Sequence, residues 1–166
     1  MGEELKFHQV AYVVNDLDAA VKHWVDDLGI GPFTVYTLKS PGLKNCVYKG
    51  EATDFGLRHA MGWSGTTQIE LVQPLHGPSI FKDQLESTGE GLNHIGCIVQ
   101  DHPAAVADFL ARGFTPLQSA AGFGAEGDGA FAYFRPPFGA GTIVELISPP
   151  KVRIQPDYIY PATEGK

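Results

Sequence analysis

The stretch Gln9-Val10-Ala11-Tyr12-Val13-Val14-Asn15-Asp16 returns 85 residues later as His94-Ile95-Gly96-Cys97-Ile98-Val99-Gln100-Asp101, and in the same register Ala19-Ala20-Val21 falls on Ala104-Ala105-Val106. A spacing held across an apolar run and the segment after it marks a duplicated unit. A second pair, Thr67-Gln68-Ile69-Glu70-Leu71-Val72-Gln73-Pro74 and Thr142-Ile143-Val144-Glu145-Leu146-Ile147-Ser148-Pro149, lies 75 residues apart and shares Thr, Glu, Leu and Pro. The shorter second offset leaves the first copy ten residues longer between its anchors.

Each copy opens on a β-rich run, Val10 to Val14 or Ile95 to Val99, and passes through an Asp into a helical pattern. In the first helix Leu17, Ala20, Val21, Trp24, Val25 and Leu28 share one face, with Asn15 or Asp16 as N-cap and Gly29 as the stop. In the second, Pro103 sits in the first turn, Val106, Phe109 and Leu110 form the apolar face, and Gly113 ends it. Further strands are expected near residues 33–38, 54–62, 67–72, 115–119, 130–135 and 142–147. The order is βαβββ, twice, an α+β architecture. The modules span residues 5–75 and 92–150, joined by a linker, 76–91, with a short helix around Ser79 to Glu86. The glycine-rich run Gly122 to Gly129 precedes a strand rather than a helix, so it reads as a mobile loop or lid and not as a phosphate cradle. The tail, 151–166, has no periodicity and is expected to wrap the surface or a neighbouring subunit of a homodimer.

Composition narrows the function classes. Of 166 residues, 43% are hydrophobic, enough for a packed domain. Twelve Lys and Arg against nineteen Asp and Glu give a formal charge of −7, which argues against a nucleic-acid or anionic-membrane surface. No apolar run approaches the roughly 20 residues of a spanning helix, and Met1 to Lys6 has no secretion-signal pattern, so a cytoplasmic protein is expected. Cys46 and Cys97 form no CxxC, which leaves nitrogen and oxygen ligands for any metal.

The duplication itself nominates a site. Equivalent strand positions in paired modules point to equivalent places. Gln9 with His94, and Glu70 with Glu145, are polar residues in otherwise apolar strands, where a lone carboxylate is costly without a cation or proton. A divalent metal would satisfy all four. If His8 faced inward instead of Gln9, then His8, His94 and Glu145 would form the two-His-one-carboxylate set of non-haem iron enzymes, but Gln9, not His8, falls on His94 without a gap. His59 and Arg58 share a strand of mixed polarity, and at least one should face solvent. His23, His76 and His102 sit at positions of ordinary exposure, and Trp63, Phe123, Tyr133 and Phe134 read as core or dimer-contact aromatics, one or two of which could line a pocket.

These motifs, with Gly29-Ile30-Gly31-Pro32-Phe33 and Gly91-Leu92-Asn93-His94-Ile95-Gly96, resemble the vicinal oxygen chelate superfamily, which includes glyoxalase I, methylmalonyl-CoA epimerase, extradiol dioxygenases and bleomycin-resistance proteins. The resemblance covers about residues 5–150. It implies two βαβββ modules whose sheets curl into a cup, with the family's four ligand positions on Gln9, Glu70, His94 and Glu145. The set Gln, Glu, His, Glu is similar to that of zinc-type glyoxalase I, whereas the Gly-Leu-Asn-His-Ile-Gly stretch is similar to the epimerase. The implied activity is that of a metal-dependent isomerase, epimerase or lyase acting on a small molecule with vicinal oxygens. It would abstract a proton next to a carbonyl and stabilise the enediolate with Zn, Ni, Co, Mn or Mg. The epimerase branch is expected to carry a base on the third strand of its first module, and Asp54 to Met61 holds no Glu, so Glu145, Glu70 or His59 would act. Alternatives are an extradiol-type Fe(II) dioxygenase using the His8 register, or a metal-free binding or resistance protein.

Overall fold

A computed structural model describes residues 4–138 and 141–162. The chain runs β1 (Phe7–Val13), α1 (Leu17–Asp26), β2 (Phe33–Leu38), β3 (Lys44–Tyr48), β4 (Glu51–Ala52), β5 (Gly56–Ser64), β6 (Thr67–His76), α2 (Ile80–Ser87), β7 (Gly91–Ile98), α3 (His102–Ala111), β8 (Thr115–Phe123), β9 (Gly129–Arg135), β10 (Ile143–Ser148) and β11 (Tyr158–Tyr160). All strands join one open sheet in the order β11-β2-β5-β6-β1-β7-β10-β9-β8-β3-β4. The βαβββ repeats account for β2-β5-β6-β1 on one side of a pseudo-twofold and β7-β10-β9-β8 on the other.

Register shows the duplication at residue level. β1 runs parallel to β6 with Gln9 opposite Gln68 and Ala11 opposite Glu70, while β7 runs parallel to β10 with His94 opposite Ile143 and Gly96 opposite Glu145. The repeats meet where β1 and β7 pair antiparallel, Gln9 facing Gly96 and Ala11 facing His94. A small residue thus stands beside each inward carboxylate.

The alternating faces of the strands build three apolar layers. On the outer face α1 covers Leu17, Val21, Phe33, Val35, Ala60 and Leu71, and α3 covers Cys97, Phe109, Phe114, Phe134, Val144 and Leu146. The inner layer fills the cup with Val13, Leu38, Phe55, Leu57, Val72, Phe81, Phe131 and Tyr133. Asp16 and Asp101 cap α1 and α3 by accepting from the backbone N–H three residues on, Ala19 and Ala104, which satisfies a donor the helix leaves orphaned. In both helices the last residue of the apolar pattern is left exposed. Asp27 C-caps α1, so Leu28 lies past its end and is 53% exposed, and Leu110 of α3 is 49% exposed rather than packed.

Three features depart from the expected repeat. The extra length of the first copy lies between β2 and β5, where β3 and β4 form a hairpin closed by Lys49 (φ 48°) and Gly50 (φ 85°). Two successive positive φ angles match the strand twist of a tight hairpin, and β3 then pairs with β8, the edge of the other repeat. The segment expected as a linker contributes to the core: α2, N-capped by Ser79, buries Ile80 and Phe81 inside the cup. The tail wraps its own chain. Ala125 N–H donates to Val152 carbonyl, Lys151 N–H to the Asp128 carboxylate and Asp157 N–H to Val35 carbonyl, after which β11 pairs with β2. Residues 151–160 therefore strap the open side of the cup from the β8–β9 turn to the β2 edge, and the glycine-rich run expected to be a lid is anchored under that strap. Residues 163–166 of the expected tail lie outside the described residues.

Candidate metal centre

Glu70, His94 and Glu145 meet at the pseudo-twofold, each deeply buried, with one ligand atom from each within 4.8 Å of the others. His94 Nε2 stands 3.1 Å from Glu145 Oε2 and 3.4 Å from Glu70 Oε2. Gln9 joins them through Gly96: a Cβ placed on that glycine would lie 2.7 Å from Gln9 Oε1, so the missing side chain leaves room for the amide oxygen beside Glu145. The four residues singled out by the repeat are thus brought together.

Among the described residues five buried side-chain polar atoms have no hydrogen-bond partner, and four of them are Gln9 Oε1, Glu70 Oε2, His94 Nε2 and Glu145 Oε2. The fifth, Gln118 Nε2, belongs to an amide whose oxygen accepts from Ile80 N–H under α2. Leaving one such atom unsatisfied costs about 1–3 kcal/mol. Four on convergent side chains are the donor set a divalent cation needs, one imidazole nitrogen and three oxygens.

In Gln9, Glu70 and His94 the other atom is already held. His94 Nδ1–H donates to Asn93 Oδ1 at 2.8 Å, and Asn93 Nδ2 donates to Gln84 Oε1 at 3.0 Å, which fixes the tautomer that leaves Nε2 free as a ligand. Gln9 Nε2 donates to Gln68 Oε1 at 3.0 Å. His59 Nδ1–H donates to Glu70 Oε1 at 2.6 Å. Glu145 lies opposite Tyr133 of the adjacent strand β9, whose ring meets His94 edge-on, centroids 4.9 Å apart.

The charges are tightly coupled. Burial pushes the Glu70 carboxyl up, but the His59 and His94 imidazoles together outweigh it and bring it down to about 2. Burial would lower the His94 imidazole, yet the Glu145 and Glu70 carboxylates raise it to about 9. Glu145 is raised, first by burial and then by the Glu70 charge, with His94 opposing. A proton on His94 Nε2 and a divalent cation would occupy the same place between two carboxylates, so they compete.

The remaining sequence candidates fall elsewhere. His8 sits at a bulge of β1, between the pairs Phe7–Cys97 and Gln9–Gly96, and its Nδ1 accepts from Ile98 N–H at 3.2 Å. It lines the cavity mouth but is not in the buried cluster. Arg58 takes the outward face and pairs with Asp18, leaving His59 to face the cavity. His23 and His76 are exposed and pair with Asp27 and Asp54, whereas His102, expected to be exposed, is half-buried with Nε2–H donating to Leu146 carbonyl. Of the four aromatics, Phe134 is core, Tyr133 is buried against the cluster, and Phe123 and the 55% exposed Trp63 line the cavity.

Gln9, Glu70 and Glu145 form the floor of a cavity of about 210 Å³, walled by Leu57, Met61, Val72, Phe81, Phe131 and Ile147, with His94 fully buried beside them. Sequence reasoning did not nominate Gln68, Asn93 or Arg153. Gln68 stands two residues before Glu70 and Asn93 next to His94, so strand alternation and adjacency could have found them. Nothing local marks Arg153.

The fold and its buried, oxygen-rich centre define a βαβββ-repeat protein with polar side chains gathered at its symmetry axis. A family model described as the glyoxalase/bleomycin resistance protein/dioxygenase superfamily matches residues 8–134, and the chain belongs to that superfamily. Its fold is similar to that of a hypothetical protein from Bacillus halodurans C-125 (TM-score 0.65, 19% identity, covering 92% of this chain and 98% of that one). It is also similar to methylmalonyl-CoA epimerase from Mycobacterium tuberculosis (0.60, 24%, 86% and 87%). A variant of the Streptomyces coelicolor methylmalonyl-CoA epimerase bound to 2-nitronate-propionyl-CoA matches as well (0.63, 22%, 87% and 97%). No curated protein matches.

Proposed function

We propose that this protein is a metal-dependent isomerase or lyase that moves a proton next to a carbonyl on a small molecule with two neighbouring oxygens. The observation that carries it is the set of four orphaned atoms on Gln9, Glu70, His94 and Glu145, of which Gln9, Glu70 and Glu145 line an apolar cavity. Gln9, Glu70, His94 and Glu145 would hold the ion, and their oxygen-rich set suits Zn, Ni, Co, Mn or Mg. When bound, such an ion supplies Lewis acidity that offsets the negative charge left as the proton departs.

The residues divide the remaining work. His59 is the best-placed base: Glu70 fixes its Nδ1, and Nε2, with no protein partner among the described residues, faces the cavity. An imidazole oriented through one ring nitrogen by a carboxylate exchanges protons through the other. Glu145, raised by burial, is the acidic group opposite that can hold or return a proton. The likeness to proteins named as epimerases supports the isomerase form over the lyase, and a homodimer is part of this reading.

The test is elemental analysis of protein purified without chelator, for the native chain and for Gln9→Ala, His94→Ala and Glu145→Ala. About one equivalent of divalent metal in the native protein, lost in each variant, supports the site. Metal retained in all three, with correctly folded protein, removes it.

A further inference from the structure

Resting on the metal-chelate reading, the geometry points to a narrower substrate class. We infer that Arg153, on the tail strap, anchors a carboxylate at the far end of the substrate from its chelating oxygens. The substrate is then a small acid with an apolar body and one negative charge, not a coenzyme A thioester.

Arg153 is the only Lys or Arg lining the cavity among the described residues. Arg153 is exposed, its Nη1 contacts Met61 Sδ at 3.8 Å, and among the described residues no carboxylate pairs with it. Met61 lies directly across from Glu70 in the β5–β6 register, so the guanidinium stands one side chain away from the floor cluster. The strap holds it there. Val152, the residue before it, accepts from Ala125 N–H at 2.8 Å. Gly124 (φ +91°) packs so closely on Pro150 that a Cβ would lie 2.2 Å from that ring. The strap that carries the positive charge is therefore held against the β8–β9 turn just before Arg153.

Charge balance gives the substrate its sign. Glu70 and Glu145 neutralise a divalent ion on the floor, which leaves the Arg153 guanidinium as the uncompensated charge facing the cavity. One guanidinium fits one carboxylate in a two-pronged contact. A coenzyme A thioester brings several phosphate charges and would need several cations at this rim. Size agrees: an apolar cavity of about 150 Å³ already takes a benzene ring, so about 210 Å³ admits a ring-sized apolar body against Phe123, Phe131 and Trp63.

The probes are 3,4-dihydroxyphenylacetate, which has vicinal oxygens at one end and a carboxylate at the other, its neutral analogue 4-methylcatechol, and acetyl-CoA. Each is titrated calorimetrically into zinc-loaded native protein and into Arg153→Ala and Arg153→Lys. The expected result is that the acid binds the native protein about ten-fold tighter than 4-methylcatechol, that Arg153→Ala removes this difference while leaving 4-methylcatechol unchanged, and that Arg153→Lys restores part of it. If 4-methylcatechol binds but the carboxylate adds nothing, or its advantage survives Arg153→Ala, the anchor is wrong while the chelate reading stands. Acetyl-CoA binding as tightly as the acid overturns the exclusion of thioesters. Binding of neither catechol overturns the chelate reading and the anchor with it.

Discussion

His59 and Glu70 share one hydrogen bond, Nδ1 to Oε1 at 2.6 Å, while the second oxygen of Glu70 is left without a partner beside His94. One carboxylate thus faces two ways, orienting an imidazole on β5 and completing a donor set whose other members come from β1, β7 and β10. The proposed division of labour between binding and proton transfer follows from that single side chain.

Replacing His59 should separate the two roles. His59→Gln is expected to keep the bound metal and lose about 10²–10⁴-fold in exchange of the substrate's acidic proton, the usual contribution of a positioned base. Glu70→Gln should lose both. Elemental analysis and proton–deuterium exchange followed by NMR in D₂O read the two effects, and unchanged exchange in His59→Gln assigns the base elsewhere.

Asn93 offers a test at one remove. Its Oδ1 holds His94 Nδ1–H, and its amide is fixed in turn by Gln84. Asn93→Ala is expected to weaken metal affinity about 10–100-fold, the scale for removing a partner behind a ligating histidine. Competition with a coloured chelator measures this, and affinity equal to the native protein's would show that the contact does not orient the ring.

Gly96→Ala should act on the metal more than on the fold. The new Cβ would fall 2.7 Å from Gln9 Oε1 and 2.8 Å from Ile147 Cδ1, both ends of flexible side chains that can move aside. Stability should fall by about 1 kcal/mol, at the low end for overpacking, while the displaced amide oxygen leaves the donor set and metal affinity drops. Chemical denaturation beside chelator competition separates the two, and a variant with native affinity would show that Gln9 is not a ligand.

Acid should loosen the tail strap before it unfolds the cup. The Arg58 guanidinium, and after it the Tyr158 hydroxyl, hold the Asp18 carboxyl below its ordinary value of 3.8. A depressed folded-state value means the tie contributes fully above the unfolded-state value and is lost as pH falls through the folded one. Hydrogen exchange at Tyr158 to Tyr160 should therefore quicken below about pH 4 in the native chain, and Asp18→Asn should show fast exchange there already at pH 7. Equal protection in the two proteins at pH 7 would rule the tie out.

The sequence by itself determined the repeat. Two offsets named βαβββ twice, located the ten-residue excess, and put Gln9, His94, Glu70 and Glu145 at equivalent positions, because strand alternation converts residue parity into a shared face. It also read α1 and α3, with Asn15 or Asp16 as the cap of the first, and the structure assigns Asp16 and Asp101. What it could not carry is everything that depends on partners distant along the chain. The β3–β4 hairpin pairs with the edge of the other repeat, α2 buries Phe81 beneath His94, and the tail crosses the mouth to bring Arg153 over the floor. None of these has a local period, since each is fixed by contacts across the cup. Only the tertiary structure decided that His59 faces inward and Arg58 outward, that His8 lies at a bulge, and that Glu70, His94 and Glu145 bring ligand atoms within 4.8 Å of one another, with the unpartnered Gln9 oxygen beside Gly96. Sequence spacing sets which face a residue can take, while convergence depends on how the sheet curls.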